Sequence, residues 1–396
     1  MQGRHMEHIL YIDFFSHLAL MKRAGQPFSG ANAGTNLLVL QIMASEYYKT
    51  RKIYLILPEG FKARDQYEEK IQNAEYFEKI YVKSLLDVHY EENSVLFVPL
   101  VCGKEFIEIA EIKAAYPNLI IYGRVHDKNH NFPLDLKDRY FYNGWKKTGL
   151  YSLIDFWGKK ILFGIKYGKW VSNLDKIFTV SNYSMQALKH KNIQFINYYY
   201  QGILNIKDEI LAQEVKDDYI LFVNGGRPEK NLLRAIQGFE LSNTVKNSDI
   251  KLHITSIKQD TKENVLRYLR KQSWFKENNI VFHDYLSQKD LAALYVNSKF
   301  LLFASKGEGF GLPVLESIMY GRPVLASSTT SIPEVAGASI RYFDPLNVNS
   351  ISNGIDYMIQ PDHLHYYEQT TQDRLKIIKQ MIDQDAQLLI RELFED

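Results

Sequence analysis

The sequence predicts an α/β protein made of two Rossmann-like, doubly wound domains. Its 396 residues exceed one ordinary core and suit two domains. Short β-branched or aromatic runs alternate with longer segments of helical period, and this rhythm restarts in the second half of the chain. Two such domains are expected to face a cleft, with ligand-binding residues in the loops that follow the carboxyl ends of the strands.

Apolar runs mark the predicted strands of each domain. The N-terminal domain, residues 1–200, has such runs at Ile9–Asp13, Ile53–Leu57, Val95–Val98 and Leu119–Tyr122. The second domain, residues 201–365, has them at Tyr219–Val223, Ile250–Ile254, Ile280–Phe282, Phe300–Phe303 and Pro323–Ala326. The boundary is expected in the charged stretch near 196–218. Residues 366–396 carry apolar side chains at helical spacing, which predicts a helix that closes the fold.

Composition argues against several functional classes. The net charge is only +2 and no nucleic-acid-binding motif is present, so we expect no nucleic-acid partner. No apolar run reaches the length of a membrane-spanning helix. The single cysteine, Cys102, excludes an internal disulfide and a multi-thiolate metal site within the chain. With no secretory signal at the N-terminus, this favours the cytoplasm.

A glycine-rich loop between a predicted strand and a predicted helix is the strongest functional signal. It reads Lys306-Gly-Glu-Gly-Phe-Gly-Leu-Pro-Val-Leu-Glu316. Gly309 and Gly311 let a ligand approach the backbone, and N–H groups at the helix start would face a diphosphate. Glu308 and Glu316 would be repelled by phosphate unless they accept hydrogen bonds from hydroxyls. The ligand is therefore expected to carry both phosphate and hydroxyl groups.

The same segment resembles the paired-glutamate motif of retaining glycosyltransferases of family 4, which have the GT-B fold. The resemblance extends over roughly 175–355 through five further motifs, Asp175–Ser181, Leu291–Tyr295, Gly321–Val324, Ser331–Gly337 and Phe343–Pro345. It implies that Glu316 holds the ribose of a nucleotide sugar and that Glu308 binds hydroxyls of the transferred sugar. It also puts Gly309, Phe310, Gly311 and Leu312 in the donor site.

A second glycine-containing turn supplies positive charge. Gly226, Arg227 and Lys230 follow the predicted strand Tyr219–Val223. The resemblance implies that Arg227 and Lys230 neutralise the donor diphosphate, although the spacing between them is tighter than the family's usual pattern. Fixed cations can replace a metal ion. The only Asp-x-Asp sequence, Asp383-Gln-Asp385, falls in the predicted C-terminal helix, and we expect neither a metal nor a cofactor.

The acceptor side is less distinct. His126 and Asp127 follow the predicted strand Leu119–Tyr122, and by resemblance they face the reacting sugar; a capping Asp beside a structural His is the alternative. Gly30, Asn32 and Gly34 lie in a glycine loop that ends where a helix is expected at Asn36. The glycines of that loop would let the diphosphate or the acceptor approach the backbone. The alternative is that the loop is a plain turn without a ligand.

Residues 128–170 are rich in lysine and in aromatic side chains. They predict either a peripheral membrane surface that presents a lipid-linked acceptor or an insertion that packs its aromatic residues internally.

These features together predict a retaining, metal-independent glycosyltransferase. It would move a hexose or deoxyhexose from a nucleotide-diphosphate sugar to a glycan or lipid-linked glycan, in surface polysaccharide or glycoconjugate synthesis. A non-catalytic nucleotide-sugar-binding relative stays open as an alternative. An NAD-dependent dehydrogenase fits poorly, because no GxGxxG sequence follows the first strand.

Overall fold

The computed structural model describes residues 9–14, 30–63, 66–99, 105–125, 171–188, 193–195 and 218–395. These residues divide into two compact units. The first unit contains the described residues of Met1–Lys128, Lys160–Gln201 and Gln380–Asp396, and the second contains those of Gly202–Lys379. The predicted boundary near 196–218 lies almost entirely outside the described residues.

The first unit is built on a parallel sheet of seven strands. They are β1 Ile9–Asp13, β2 Ile53–Pro58, β3 Phe77–Val82, β4 Ser94–Val98, β5 Ile120–Val125, β6 Lys176–Thr179 and β7 Ile193–Phe195. Their order is β3-β2-β1-β4-β5-β6-β7. The described helices are α1 Gly30–Ala44, α2 Tyr47–Thr50, α3 Gln66–Gln72, α4 Glu105–Ala115 and α5 Asn182–Leu188, with a 3-10 turn at Leu85–Asp87. Both faces are buried, since Leu10 and Ile12 of β1 pack into one core cluster and Tyr11 into another.

The second unit repeats this design with six parallel strands. They are β8 Tyr219–Phe222, β9 Lys251–Ile254, β10 Ile280–Phe282, β11 Leu301–Phe303, β12 Val324–Ser327 and β13 Arg341–Phe343. Their order is β10-β9-β8-β11-β12-β13. The helices are α6 Leu232–Leu241, α7 Asn243–Lys246, α8 Gln259–Leu269, α9 Gln288–Asn297, α10 Leu312–Met319, α11 Ile332–Ala336 and α12 Val348–Met358, with 3-10 turns at Pro228–Lys230 and Glu277–Asn279. The predicted α/β class with parallel, doubly wound sheets is confirmed.

The chain ends in a long helix, α13, Pro361–Phe394. It begins five residues before the predicted segment, at Pro361, because proline suits the first turn of a helix. Ile378, Ile382, Leu389 and Leu393 are buried, as their helical spacing predicts. Within the described part of the chain, no helix has the length and apolarity needed to cross a membrane.

Helix α1 differs from its prediction. The sequence predicted a loop up to Asn36, whereas the helix begins at Gly30 and contains Gly30, Asn32 and Gly34 in its first turns. Two alanines in this stretch are strong helix formers, and a glycine costs only about 1 kcal/mol in a helix. The apolar residues that follow, including Leu38 and Ile42, pack into the core and hold the helix in place.

Candidate functional site

The predicted donor residues lie at the point where the strand order of the second sheet reverses. The chain leaves β8 toward β9 and β10, then returns to β11 on the other side of β8. Loops at the carboxyl ends of β8 and β11 therefore lie next to each other, which is where ligands bind in doubly wound sheets. These loops hold Arg227 and Lys230 after β8 and Glu308 after β11.

The glycine pair after β8 is required by contacts between loops. The amide of Gly225 donates to the Thr255 carbonyl at 2.9 Å, and the amide of Gly226 donates to the Ser256 carbonyl at 3.2 Å. A Cβ at Gly226 would lie 2.8 Å from the Ser256 carbonyl oxygen. Gly226 is thus explained by the close approach of two backbones, and its predicted donor contact stays a prediction.

The two predicted phosphate cations occupy different environments. The Arg227 side chain is 60% exposed and forms an ion pair with Glu229. The Lys230 side chain is only 3% exposed, with Nζ 2.5 Å from Oε1 of Glu308 and 4.9 Å from the centre of the Phe303 ring. Arg227 is the accessible cation of the two, whereas Lys230 compensates a carboxylate of the glycine loop.

Hydroxyl groups at the end of β12 and in the loop after it hold the glycine loop in place. Thr330 Oγ1 accepts from the Glu308 amide at 3.0 Å, and Ser331 Oγ donates to the Glu308 carbonyl at 3.0 Å. Ser327 Oγ donates to the Ser305 carbonyl at 2.6 Å. The backbone on both sides of Glu308 is fixed, so its carboxylate projects from a preset position.

The loop leads into helix α10 through Gly311, whose φ of 103° favours glycine. Pro313 stands at the start of this helix, and among the described residues no side chain caps its first turn. Leu312 opens the helix, and Phe310, just before it, is buried. A helix start of this kind favours an anion.

Glu316 lies one turn into α10 and is only partly exposed. Its Oε2 accepts a hydrogen bond of 2.7 Å from the hydroxyl of Tyr295. Burial raises the pKa of the Glu316 carboxyl above its usual value, while the Tyr295 hydrogen bond and the positive charge of Lys230 lower it. Lys230 therefore acts electrostatically on both predicted ligand-binding glutamates.

Backbone strain is concentrated around these loops. Five non-glycine residues in the described chain have positive φ, and four of them follow strands of the second sheet: Asn224, Asn231, Ser256 and Thr330. Each such conformation costs about 1–3 kcal/mol and persists only where its surroundings impose it. Asn231 shows one such constraint, since its Nδ2 donates to the Pro345 carbonyl at 2.7 Å. Strain of this kind is typical of a binding site.

For the other predicted site residues, the structure does not describe a side chain at the site. His126, Asp127 and the segment 128–170 lie outside the described residues. Gly30, Asn32 and Gly34 are described only as backbone of α1. Three residues that contact the donor loops were given no role from the sequence: Glu229, Tyr295 and Thr330. Tyr295 is the last residue of the motif Leu291–Tyr295, which the sequence did indicate. Its contact with Glu316 could not be predicted from that motif, because Glu316 is 21 residues away along the chain.

The loops that contain these residues lie in a part of the chain that is similar to known proteins. Residues 205–374 match the family described as "Glycosyl transferases group 1". The serotype-specific mannosyltransferase WbdA of Escherichia coli is 31% identical over 157 residues, covering 39% of this chain and 19% of that protein. The O-antigen chain mannosyltransferase B of Escherichia coli is 33% identical over 144 residues, covering 36% of this chain and 37% of that protein.

The chain thus spans well under two thirds of the length of either relative. Among solved structures, sucrose-phosphate synthase from Thermosynechococcus elongatus superposes with a TM-score of 0.66 at 12% identity, covering 98% of this chain and 99% of that one. This likeness shows the fold. The chain has the GT-B fold, and its residues 205–374 match the group 1 glycosyl transferases.

Proposed function

We propose that this protein is a glycosyltransferase that takes a sugar from a nucleoside-diphosphate donor held in the loops after β8 and β11. The observation that carries the proposal is the cluster of Lys230, Glu308 and Glu316 beside the uncapped start of α10. The helix start and Arg227 suit the diphosphate, and the two carboxylates suit hydroxyl groups. The partner is therefore a nucleotide sugar.

The chemistry needs positive charge where the nucleoside diphosphate departs. Arg227 has an accessible guanidinium for this purpose, and a fixed cation stabilises a leaving phosphate without reorganisation. We therefore propose a reaction independent of metal ions. Retention of the anomeric configuration, and membership of family 4, are proposed from the paired-glutamate motif of Glu308 and Glu316.

The sugar and the acceptor are proposed from the relatives. Both Escherichia coli proteins are mannosyltransferases, and one of them acts on the O-antigen chain. We propose transfer of a hexose, with mannose as the first candidate, to a glycan or lipid-linked glycan of a surface polysaccharide. A cytoplasmic protein that meets the membrane peripherally through residues 128–170 would fit a lipid-linked acceptor.

The test measures both binding and turnover. Thermal shift and calorimetry with GDP-mannose, UDP-glucose and dTDP-rhamnose identify the donor, and release of the nucleoside diphosphate with a glycan acceptor measures transfer. Glu316→Gln should weaken donor binding, whereas Glu308→Gln should mainly reduce turnover. Addition of EDTA should leave the rate unchanged, and proton NMR of the product should show the donor's anomeric configuration.

Glu240→Gln is the matched control. Glu240 is a buried carboxylate of the same unit that accepts from the backbone amide of Lys276 and from the side-chain amide of Asn279, away from the donor loops. Its replacement should change stability but not donor affinity. If no nucleotide sugar binds, the proposal fails. Tight binding without any release of nucleoside diphosphate, unaffected by Glu308→Gln, would favour the non-catalytic alternative.

A further inference from the structure

A buried tyrosine lies directly behind the carboxylate of Glu316. Tyr295 belongs to helix α9 and is 1% exposed. Its ring stacks on that of Tyr320, with ring centres 5.4 Å apart and an angle of 24° between the planes. Tyr320 is the residue that caps the end of α10, one helical turn after Glu316. The tyrosine ring is therefore fixed against the same helix that carries the glutamate.

The hydroxyl of Tyr295 is oriented toward the Glu316 carboxylate. It donates to Oε2 of Glu316 at 2.7 Å. Burial raises the pKa of Tyr295 well above its usual value, so the hydroxyl keeps its proton at any physiological pH and always acts as the donor. Oε1 of Glu316 makes no hydrogen bond with any residue that the structure describes, which leaves this oxygen to accept from a ligand.

The hydrogen bond also affects the charge of the glutamate. Burial favours the protonated carboxyl, and the Tyr295 hydroxyl and Lys230 oppose that effect. A protonated carboxyl donates from one oxygen and so accepts fewer hydrogen bonds from a diol. Without the tyrosine hydroxyl, the Glu316 side chain would lose the hydrogen bond that fixes Oε2, and the pKa of its carboxyl would be higher.

We propose that Tyr295 is a positioning residue of the donor site, which fixes Glu316 through Oε2 so that Oε1 faces the vicinal hydroxyls of the nucleotide ribose. This inference rests on the proposed function, because it assigns Tyr295 a role only if Glu316 holds a nucleotide. Tyr295 contributes no contact to the ligand itself. Its effect is therefore expected in nucleotide affinity and in the pH dependence of that affinity.

The test compares Tyr295→Phe with Tyr219→Phe. Tyr219 is an equally buried tyrosine of the same unit, whose hydroxyl donates to the carbonyl of Leu294, the neighbour of Tyr295, at 2.8 Å. Each variant loses one buried hydroxyl, but only Tyr295→Phe loses the bond to Glu316. Calorimetry with GDP, UDP and dTDP, from pH 5 to pH 8, gives the affinity, and thermal unfolding without nucleotide gives the stability.

We expect Tyr295→Phe to weaken binding of the preferred nucleoside diphosphate about tenfold at pH 7, as the loss of a hydrogen bond to a charged group would. The pH below which affinity declines should move upward, because the folded-state pKa of Glu316 rises. Tyr219→Phe should bind like the wild type. In Glu316→Gln, which cannot ionise, the decline at low pH should be reduced to the one that accompanies protonation of the terminal phosphate of the nucleotide, at about pH 6, and adding Tyr295→Phe should not move its midpoint.

Three results would overturn the inference. Tyr295→Phe could bind like the wild type at every pH, or lose affinity equally at every pH without a shifted midpoint. It could also fail to fold while Tyr219→Phe folds, which would make the hydroxyl structural. Failure of the proposed function is distinguishable, since then the wild type binds no nucleoside diphosphate or Glu316→Gln binds as tightly as the wild type does.

Discussion

Replacement of Lys230 by methionine tests the buried ion pair at the donor site. The Lys230 side chain is 3% exposed and that of Glu308 is 12% exposed, so the carboxylate would lose its compensating charge in a poorly hydrated place. Removing one partner of a buried pair costs about 3–5 kcal/mol. Because Glu308 keeps some contact with water, we expect the lower end, about 3 kcal/mol, which corresponds to a melting temperature lower by roughly 6–12 °C.

The surface pair of Arg270 and Glu277 is the matched control. Its side chains are 60% and 45% exposed, although the ion pair is as close as 2.6 Å. An exposed pair contributes only about 0–1 kcal/mol, so Arg270→Met should change the unfolding free energy by less than about 1 kcal/mol. Urea unfolding followed by circular dichroism measures both variants.

The double variant Lys230→Met/Glu308→Gln completes the test. It removes the uncompensated charge and should recover most of the stability lost in Lys230→Met. If Lys230→Met costs no more than Arg270→Met, or if the double variant is less stable than Lys230→Met alone, the buried pair does not stabilise the glycine loop. The reasoning about charge at this site would then be wrong.

Three further predictions concern stability. Gly226→Ala should lower the melting temperature, because its Cβ would lie 2.8 Å from the Ser256 carbonyl; an unchanged melting temperature would show that the two loops can separate. Asp385→Asn should stabilise the protein by about 2 kcal/mol at pH 8 and have little effect at pH 4. Burial raises the pKa of Asp385 to about 7. The unfolded chain therefore loses this proton at a lower pH than the folded protein does, so the free energy of unfolding falls as the pH rises from about 4 to about 7. The full shift corresponds to about 4 kcal/mol, which solvent screening reduces to about 2 kcal/mol. Ser242→Ala should cost about 1–2 kcal/mol in urea unfolding at pH 7, since Ser242 caps α7 and donates to Asp356 at 2.7 Å. Burial raises the pKa of Asp356, but its hydrogen bonds with Ser242 and with the amides of Thr244 and Asn243 hold it below its usual value. The part of the cost that depends on the Asp356 carboxylate is therefore full above about pH 4 and is lost as the pH falls through the folded pKa, whereas the capping bond from the Val245 amide to Ser242 remains in acid. An equal cost of Ser242→Ala at pH 2 and pH 7 would contradict that account.

The sequence predicted strands where burial on both faces makes them continuously apolar. β4, Ser94–Val98, is buried at every position, and its apolar run was found. The edge strand β3, Phe77–Val82, was missed because the charged residues Glu78 and Lys79 interrupt its apolar residues. β13, Arg341–Phe343, is another edge strand and has only three residues. Such a short strand leaves little periodicity to detect, whereas β10, an equally short edge strand, was predicted because all three of its residues are apolar.

The start of α1 shows a related limit. Gly30 and Gly34 suggested a loop, since glycine is permissive in turns and unfavourable in helices. The structure has a helix there because packing of the following residues, such as Leu38, outweighs the small cost of each glycine. Local propensity is a weak guide wherever a helix is anchored by tertiary contacts.

The donor site could be located from sequence because one continuous segment contains most of it. Glu308 and Glu316 belong to a single strand, loop and helix, so their spacing along the chain fixes their spacing in space. The contacts that orient them are remote in sequence. Lys230 is 78 residues from Glu308, and Tyr295 is 21 residues from Glu316.

These remote contacts follow from topology rather than from any local pattern. Lys230 meets Glu308 because β8 and β11 are neighbours in the sheet, and that adjacency is the reversal of strand order common to doubly wound folds. Once the fold class is known, the loops after β8 and β11 must lie side by side, so that the buried Lys230 on one can pair with Glu308 on the other. The pairing of charges at the site is thus a consequence of strand order. The identity of the ligand depends instead on the few side-chain atoms, such as Oε1 of Glu316, that make no hydrogen bond within the described part of the protein.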